Sequence, residues 1–293
     1  MRKTNAQKMI PVIEKFFDEL TQKVFRRSEL STILAAQRYS WKLPMAMGVG
    51  DFINFLGVES RLRGVELKFP SRPEVRYLWG DVPIYSLLMS IKPGGYLSHY
   101  SAMFFHDLTD QVPRTIHLNY EQPPPARRDT RLDQAAIDRA FAAKARESQN
   151  IAIYEDYRIC LISSMGKGGA GIVEMEGNEG EAVRVTNLQR TLIDIAVRPN
   201  YSGGIHEVLE AYRRAQERLS LNRLAATLQQ MNYLYPYHQV IGFYLDRAGG
   251  FDESTIRRYL GLPIQYDFYL VHDMKELERE YSEKWRLFYP KGF

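Results

Sequence analysis

The 293-residue sequence predicts an α+β protein, and three features lead to that class. Segments with helical spacing come first, followed by two runs that alternate like strands. Mixed helix and strand patterns then fill the rest of the chain. Charge divides the sequence the same way: residues 1–80 hold 14 Lys/Arg against 8 Asp/Glu, a net of +6, and residues 81–293 hold 25 against 27, a net of −2. At roughly 100–200 residues per domain the length suits two domains, expected at 1–80 and 81–293.

Apolar residues make up 45% and charged residues 25%, proportions that argue against a disordered chain. No apolar run approaches the roughly 20 residues that cross a bilayer. The basic N-terminus leads into an amphipathic stretch broken by Glu14, Asp18 and Glu19. That stretch lacks a secretory core, and a cytoplasmic location is expected. A lone Cys160 excludes an internal disulfide framework and a Cys-rich zinc site.

Between Gln7 and Val24 the apolar residues Met9, Ile10, Ile13, Phe16, Phe17 and Leu20 recur at i, i+3, i+4 and i+7, which predicts a helix with Pro11 in its first turn. A second helix is expected from Arg27 or Ser28, striped by Leu30, Ile33 and Leu34. The third begins near Pro44 and becomes regular after Gly50, with Phe52, Ile53, Phe55 and Leu56. Residues 64–70 and 74–80 then alternate about the turn Ser71-Arg72-Pro73.

Three short helices and a hairpin are the order of a winged helix-turn-helix, whose third helix enters the major groove while the hairpin touches the flanking backbone. Cationic and polar residues are distributed to suit double-stranded DNA. Arg26 and Arg27 open the second helix, Arg38, Ser40, Trp41 and Lys42 lead into the third, Arg61 and Arg63 precede the hairpin, and Arg72 marks its tip. Neutralised phosphates supply most nonspecific affinity. The third helix offers mainly Asp51 and Asn54 to base edges, and Asp51 repels phosphate. The loop from Arg38 to Lys42 is therefore expected to carry more of the contact. A solvated basic face on a protein-interaction module is the alternative.

In the larger part, a helix at 83–91 ends at Pro93-Gly94-Gly95, and Ser98 suits the N-cap of a helix through His106. RTIHLNY alternates as a strand, EQPPPARRDTR is a connector, DQAAIDRAFAAKAR is a helix, and NIAIYEDYRICLISS gives two strands. Residues 166–171 match GxGxxG, but the following IVEMEG reads as a strand, so a hairpin loop is expected there in place of a dinucleotide cradle. Thr186 and Gln189 have capping-box spacing before an apolar helix on which Arg190 and Asp194 are four apart. Further helices are expected from Ile205, in SLNRLAATLQQM, in YPYHQVIGFYLDRAGG and in DESTIRRYLGL. PIQYDFYLVHD reads as a strand and the charged residues after it as a terminal arm.

No catalytic constellation stands out. Ser98, His99 and His106 include a nucleophile and bases, but no spacing orients them. His206 and Glu210 are i, i+4 without a third ligand, so no metal or other cofactor is expected.

Three stretches, YLWGDVPIYSLLMSIKPGGYLSHYSAMFFHDLTDQVPRTIHLNYEQ at 77–122, VTNLQRTLIDIAVRPNYSGG at 185–204 and YPYHQVIGFYLDRAG at 235–249, resemble the AbiEi family of antitoxins from the bacterial AbiE-type (type IV) toxin–antitoxin systems. ELSTILAAQR resembles that family's N-terminal winged-helix part, and the likeness runs from about residue 28 to 262. Tyr96, Ser98, His99 and Ala102 match its YLSHxSA motif, and Thr186, Arg190, Thr191 and Asp194 its VT…RTLxD motif. The resemblance implies a non-enzymatic repressor linked to phage defence. Its winged helix would bind inverted repeats in its own promoter, as a monomer that pairs on DNA. Its C-terminal domain would counteract a toxin of nucleotidyltransferase fold, with those motif residues building the domain. A stand-alone regulator with a ligand-sensing C-terminal domain, and an enzyme acting on nucleotides or on the toxin, are the competing readings.

Overall fold

Aromatic side chains determine how the first helices meet. In the computed structural model, which describes residues 4–123, 132–166, 168–261 and 263–293, the expected N-terminal helix is two. A capping box on Thr4 starts α1 (Asn5–Lys8), and α2 (Ile10–Glu19) follows with Pro11 in its first turn. A two-residue strand, β1 (Val24–Phe25), precedes α3 (Arg27–Gln37) and α4 (Val49–Glu59). β2 (Leu62–Leu67) and β3 (Glu74–Trp79) form an antiparallel hairpin, and β1 pairs on the other side of β3 through Val24↔Leu78 and Phe25↔Tyr77. Sequence reasoning missed β1 because two residues are too few to show an alternation.

Ile13 and Phe17 of α2, Leu30 and Leu34 of α3, and Phe52 and Leu56 of α4 are buried together. Phe17 stacks on Trp79 at 4.5 Å, and Trp41 on Phe52 at 5.9 Å. Each such side chain contributes about 1.5–3 kcal/mol through burial. The unit extends past residue 80: it spans Met1–Pro93, with Asn150–Tyr154 and Glu176–Val183. Its last helix, α5 (Ile84–Ile91), is tied to the hairpin by the buried Arg76. That guanidinium donates to the Ser90 and Ile91 carbonyls at 2.9 and 3.0 Å, so it meets acceptors left open at the helix C-terminus.

In the second unit β4 (Tyr96–Leu97) and α6 (His99–Phe105) lead to β5 (Thr115–Gln122) and α7 (Gln134–Ala142). β6 (Ile151–Tyr154) belongs to the first unit, where Tyr154 accepts from Arg63 and Asn150 from Ser71. β7 (Tyr157–Met165), β8 (Ile172–Glu176) and β9 (Ala182–Thr186) complete the strands of the sheet. β5 pairs in parallel with β7 and antiparallel with β4, and β4 pairs in parallel with β9 at Leu97↔Val185. Most of the expected connector at 121–131, and Lys167 of the glycine-rich loop, lie outside the described residues.

The helical layer consists of α8 (Leu188–Val197), α9 (Ile205–Ala215), α10 (Leu221–Met231), α11 (Tyr237–Ala248) and α12 (Glu253–Leu260). α8 is buried around most of its circumference, with Leu192, Ile193, Ile195 and Ala196 in the core. The expected strand at 263–273 shortens to β10 (Phe268–Tyr269). The charged C-terminus is not an arm: β11 (Arg279–Ser282) and β12 (Leu287–Pro290) form a hairpin that pairs with β10. Trp285 between them is 2% exposed and lies where any side chain on Gly242 of α11 would go. The charges of this segment stay outside while Trp285 and Leu287 enter the core.

Candidate functional site

The residues expected to meet DNA separate into two groups. Arg26, at the N-cap of α3, and Arg27, its first residue, are exposed. Ser40 and Lys42 are exposed in the connection to α4, where Lys42 has a left-handed φ of 51°. Arg63 on β2 is exposed and donates to the Tyr154 hydroxyl at 3.2 Å, and Arg72 is exposed in the turn of the hairpin.

The other three also have partners within the unit, and for Trp41 its burial corrects the expectation from sequence. Trp41 is 2% exposed, edge-on to Phe16 and stacked with Phe52, so no groove can reach it. Arg38 donates to the carbonyls of Pro44, Met45 and Met47 and so fastens the α3–α4 connection. Arg61 donates to both Asp18 oxygens at 2.7 and 2.6 Å, with its guanidinium over the Trp79 ring. Asp18 also accepts from Trp79 Nε1, and this bond, with Arg61 beside it, lowers its carboxyl pKa. The exposed side chains of α4 include Asp51, Asn54 and Val58, and the helix carries no cation.

In the second unit several residues of the motifs quoted from the sequence gather around Arg190. Asn187, not Thr186, caps α8, accepting from the Arg190 N–H at 2.9 Å. Thr186 ends β9, and its hydroxyl meets that of Thr191 at 2.7 Å. Arg190 Nε donates to Asp194 at 2.9 and 3.0 Å, Nη1 to the Ala170 carbonyl at 2.7 Å, and Nη2 to the Tyr96 hydroxyl at 3.3 Å. Asn119 Nδ2 donates to the same hydroxyl at 2.8 Å. Gly171, with φ of 68°, lies against Arg190 Cβ where a side chain would collide. The glycines thus bring a carbonyl onto a guanidinium, and the strand expected after them is β8. Burial alone would favour loss of the guanidinium proton, but Asp194, Tyr96 and Tyr233 together outweigh it and raise the Arg190 pKa. Burial pushes the Tyr96 hydroxyl up to about 12, so it stays protonated at neutral pH.

Next to this cluster, Ser98 occupies the N-cap of α6 but does not cap it through its side chain. Its hydroxyl meets His99 Nδ1 at 2.8 Å instead, and His99 has a left-handed φ of 52°. The His99 ring lies 5.2 Å from Tyr201 and 6.2 Å from His117. His106 is apart from them, with Nε2 2.6 Å from the Thr186 carbonyl. Burial holds His99 well below the ordinary imidazole range and lowers His117 to about 4, so both rings are neutral at pH 7. Ser98 is 0% and His99 4% exposed, so this contact is buried in the unit. His117 and Asn119 were not singled out from sequence. Their spacing of two in RTIHLNY was the available signal, since it points both to one face of a strand.

Among the described residues no three His, Cys, Asp or Glu side chains gather where they could hold a metal, and no helix is long and apolar enough to cross a membrane. No family model matches the chain, and no curated protein matches it. Among solved structures it is similar to the Rv2827c protein of Mycobacterium tuberculosis, with a TM-score of 0.58 at 13% identity over 96% of this chain and 91% of that one. At that identity the likeness shows a shared α+β fold and nothing of function.

Two measurements check these clusters. Arg190→Met leaves the Asp194 carboxylate buried and unpaired, and should cost the second unit about 3–5 kcal/mol in urea unfolding, with much of the loss recovered in Arg190→Met/Asp194→Leu. Because the folded pKa of His117 is about 4 against an ordinary 6.5, the unfolded chain takes up the proton first on acidification. Its contribution is present in full above pH 6.5 and is lost as pH falls towards 4, with about 2 kcal/mol gone by pH 5. Urea unfolding at pH 7.5 and pH 5 should show that loss in the native protein and a smaller one in His117→Asn.

Proposed function

We propose that the chain is a DNA-binding antitoxin of the AbiEi type, which represses its own operon and counteracts a toxin of nucleotidyltransferase fold. The observation that carries this reading is the arrangement of residues 10–79. One helix, a short strand, two helices and a hairpin closed by that strand follow in the order expected of a winged helix-turn-helix, which supports this reading. Arg26, Arg27, Lys42, Arg63 and Arg72 are exposed around those parts.

On this reading α4 approaches the major groove and the hairpin follows the adjacent backbone. Phosphate contact dominates, because the cations come from α3, its outgoing connection and the hairpin, while α4 brings Asn54 as its main reader of base edges. An Asn can bond adenine in the major groove. The second unit acts on the toxin, and its buried Arg190 and His99 clusters serve as the frame of the acting surface. No chemical step is assigned to this chain.

A mobility-shift titration against its own upstream DNA tests the first half. Lys42→Gln/Arg72→Gln should weaken binding to all duplexes and reduce the salt slope by about 2, close to 0.9 for each lost phosphate contact. An unchanged slope would show that DNA lies elsewhere. Growth rescue on co-expression with the adjacent toxin-like gene tests the second half.

A further inference from the structure

We propose that the second unit carries a nucleotide-binding site: a base-binding pocket and a phosphate-binding cleft that share Tyr235 and Tyr237. The two cavities have complementary chemistry. The cleft, about 1160 Å³, is lined by Arg139, Lys144, Arg146 and Arg198. All four are exposed, and none is paired with a carboxylate among the described residues. Elsewhere in the unit, by contrast, Arg214, Arg257 and Lys284 have carboxylate partners at 2.7, 2.7 and 2.6 Å. Two carboxylates share the cleft, Glu147 and Asp273, and Glu147 already accepts from Asn200 at 3.0 Å. Four cations against two anions leave a surplus of positive charge suited to a di- or triphosphate.

The pocket, about 350 Å³, is aromatic and nearly uncharged, with Tyr233, Tyr235, Tyr237 and Tyr266 on its walls. His238 also lines it, is 9% exposed, and has no hydrogen-bond partner at Nε2. Burial lowers the His238 pKa, opposed by a hydrogen bond to the Pro263 carbonyl. A neutral ring that donates to that carbonyl keeps a bare lone pair at Nε2; the atom is closed to solvent, and a turn of the ring would present it to an exocyclic amine or ring N–H of a base. Buried acceptors are rarely left unmatched, and His238 stands on the wall of a pocket with tyrosine faces for stacking. Tyr235 and Tyr237 line both cavities, with ring centroids 6.3 Å apart. A base against these rings would direct its sugar and phosphates towards Arg146 and Arg198. Either a free nucleotide or the end of an RNA strand has this chemistry.

Calorimetric titration of the full chain with AMP, ATP, GTP, adenosine, pyrophosphate and a single-stranded RNA octamer tests the site. A nucleotide should bind about tenfold or more tightly than pyrophosphate or adenosine, since each of those lacks half of the contacts. Arg146→Gln, Arg198→Gln and Tyr235→Leu should each weaken it by about tenfold, while binding to promoter DNA stays unchanged. The two arginine variants lie on the surface, so a folding failure in Tyr235→Leu leaves the test intact. Tighter binding of the RNA than of ATP, with the same sensitivity to Arg198→Gln, assigns the ligand to strand ends, and the reverse to free nucleotide. No binding of any nucleotide at about 1 mM, pyrophosphate binding as tightly as ATP, or unchanged affinity in both arginine variants would overturn the proposal.

Discussion

A guanidinium taken out of water must keep both a counter-charge and acceptors for its N–H groups. Arg190 meets that demand from four separate parts of the chain: Asp194 on its own helix, the Ala170 carbonyl, the Tyr96 hydroxyl and, at 3.9 Å, the Glu121 carboxylate of β5. Residues distant in sequence are thereby fixed to one another. α8 cannot turn without breaking the Ala170 contact, and β4 cannot shift without moving Tyr96. The net energy of such a pair is small against a well-packed apolar replacement. Its value is positional, because it holds β4, the glycine loop and α8 in one geometry. The neutral His99 and His117 extend the same buried layer towards Tyr201.

In the first unit the cations do two kinds of work. Arg38, Arg61 and Arg76 hold carbonyls and carboxylates in place. Arg26, Arg27, Lys42 and Arg72 are exposed, although Arg26 also donates to the Ser90 carbonyl at 3.2 Å. Of the first three only Arg76 is buried, while Arg61 keeps about half of its side chain exposed. Arg38 matters to the proposed recognition also as a fastener, because it holds the connection that presents Ser40 and Lys42. Removing it would change the geometry of that surface before it changed the charge.

Helices with a clear apolar stripe were legible in the sequence. α3, α9, α10, α11 and α12 lie where spacing and caps indicate, and the glycine-rich run is followed by a strand. The Arg190–Asp194 pair followed from i, i+4 spacing, but its Tyr96 and Ala170 partners come from tertiary closure that no local pattern encodes. Charge read along the chain misled twice. Trp41 lies between Ser40 and Lys42, yet the turn after α3 points it into the core. The charged C-terminus hides Trp285, whose burial depends on Gly242 some forty residues earlier. Thr186 had the right spacing for a cap, but β9 claimed it and Asn187 took that place.

The functional account depends on the α3–α4 connection and the hairpin meeting a duplex. Amide hydrogen exchange of the full chain, with and without its upstream DNA, tests that most directly. The account predicts slowed exchange at the start of α3, across residues 39–48 and around Arg72, with the Arg190 layer unchanged. Protection confined to residues 184–293, or none in those first-unit segments while DNA is bound, would contradict it.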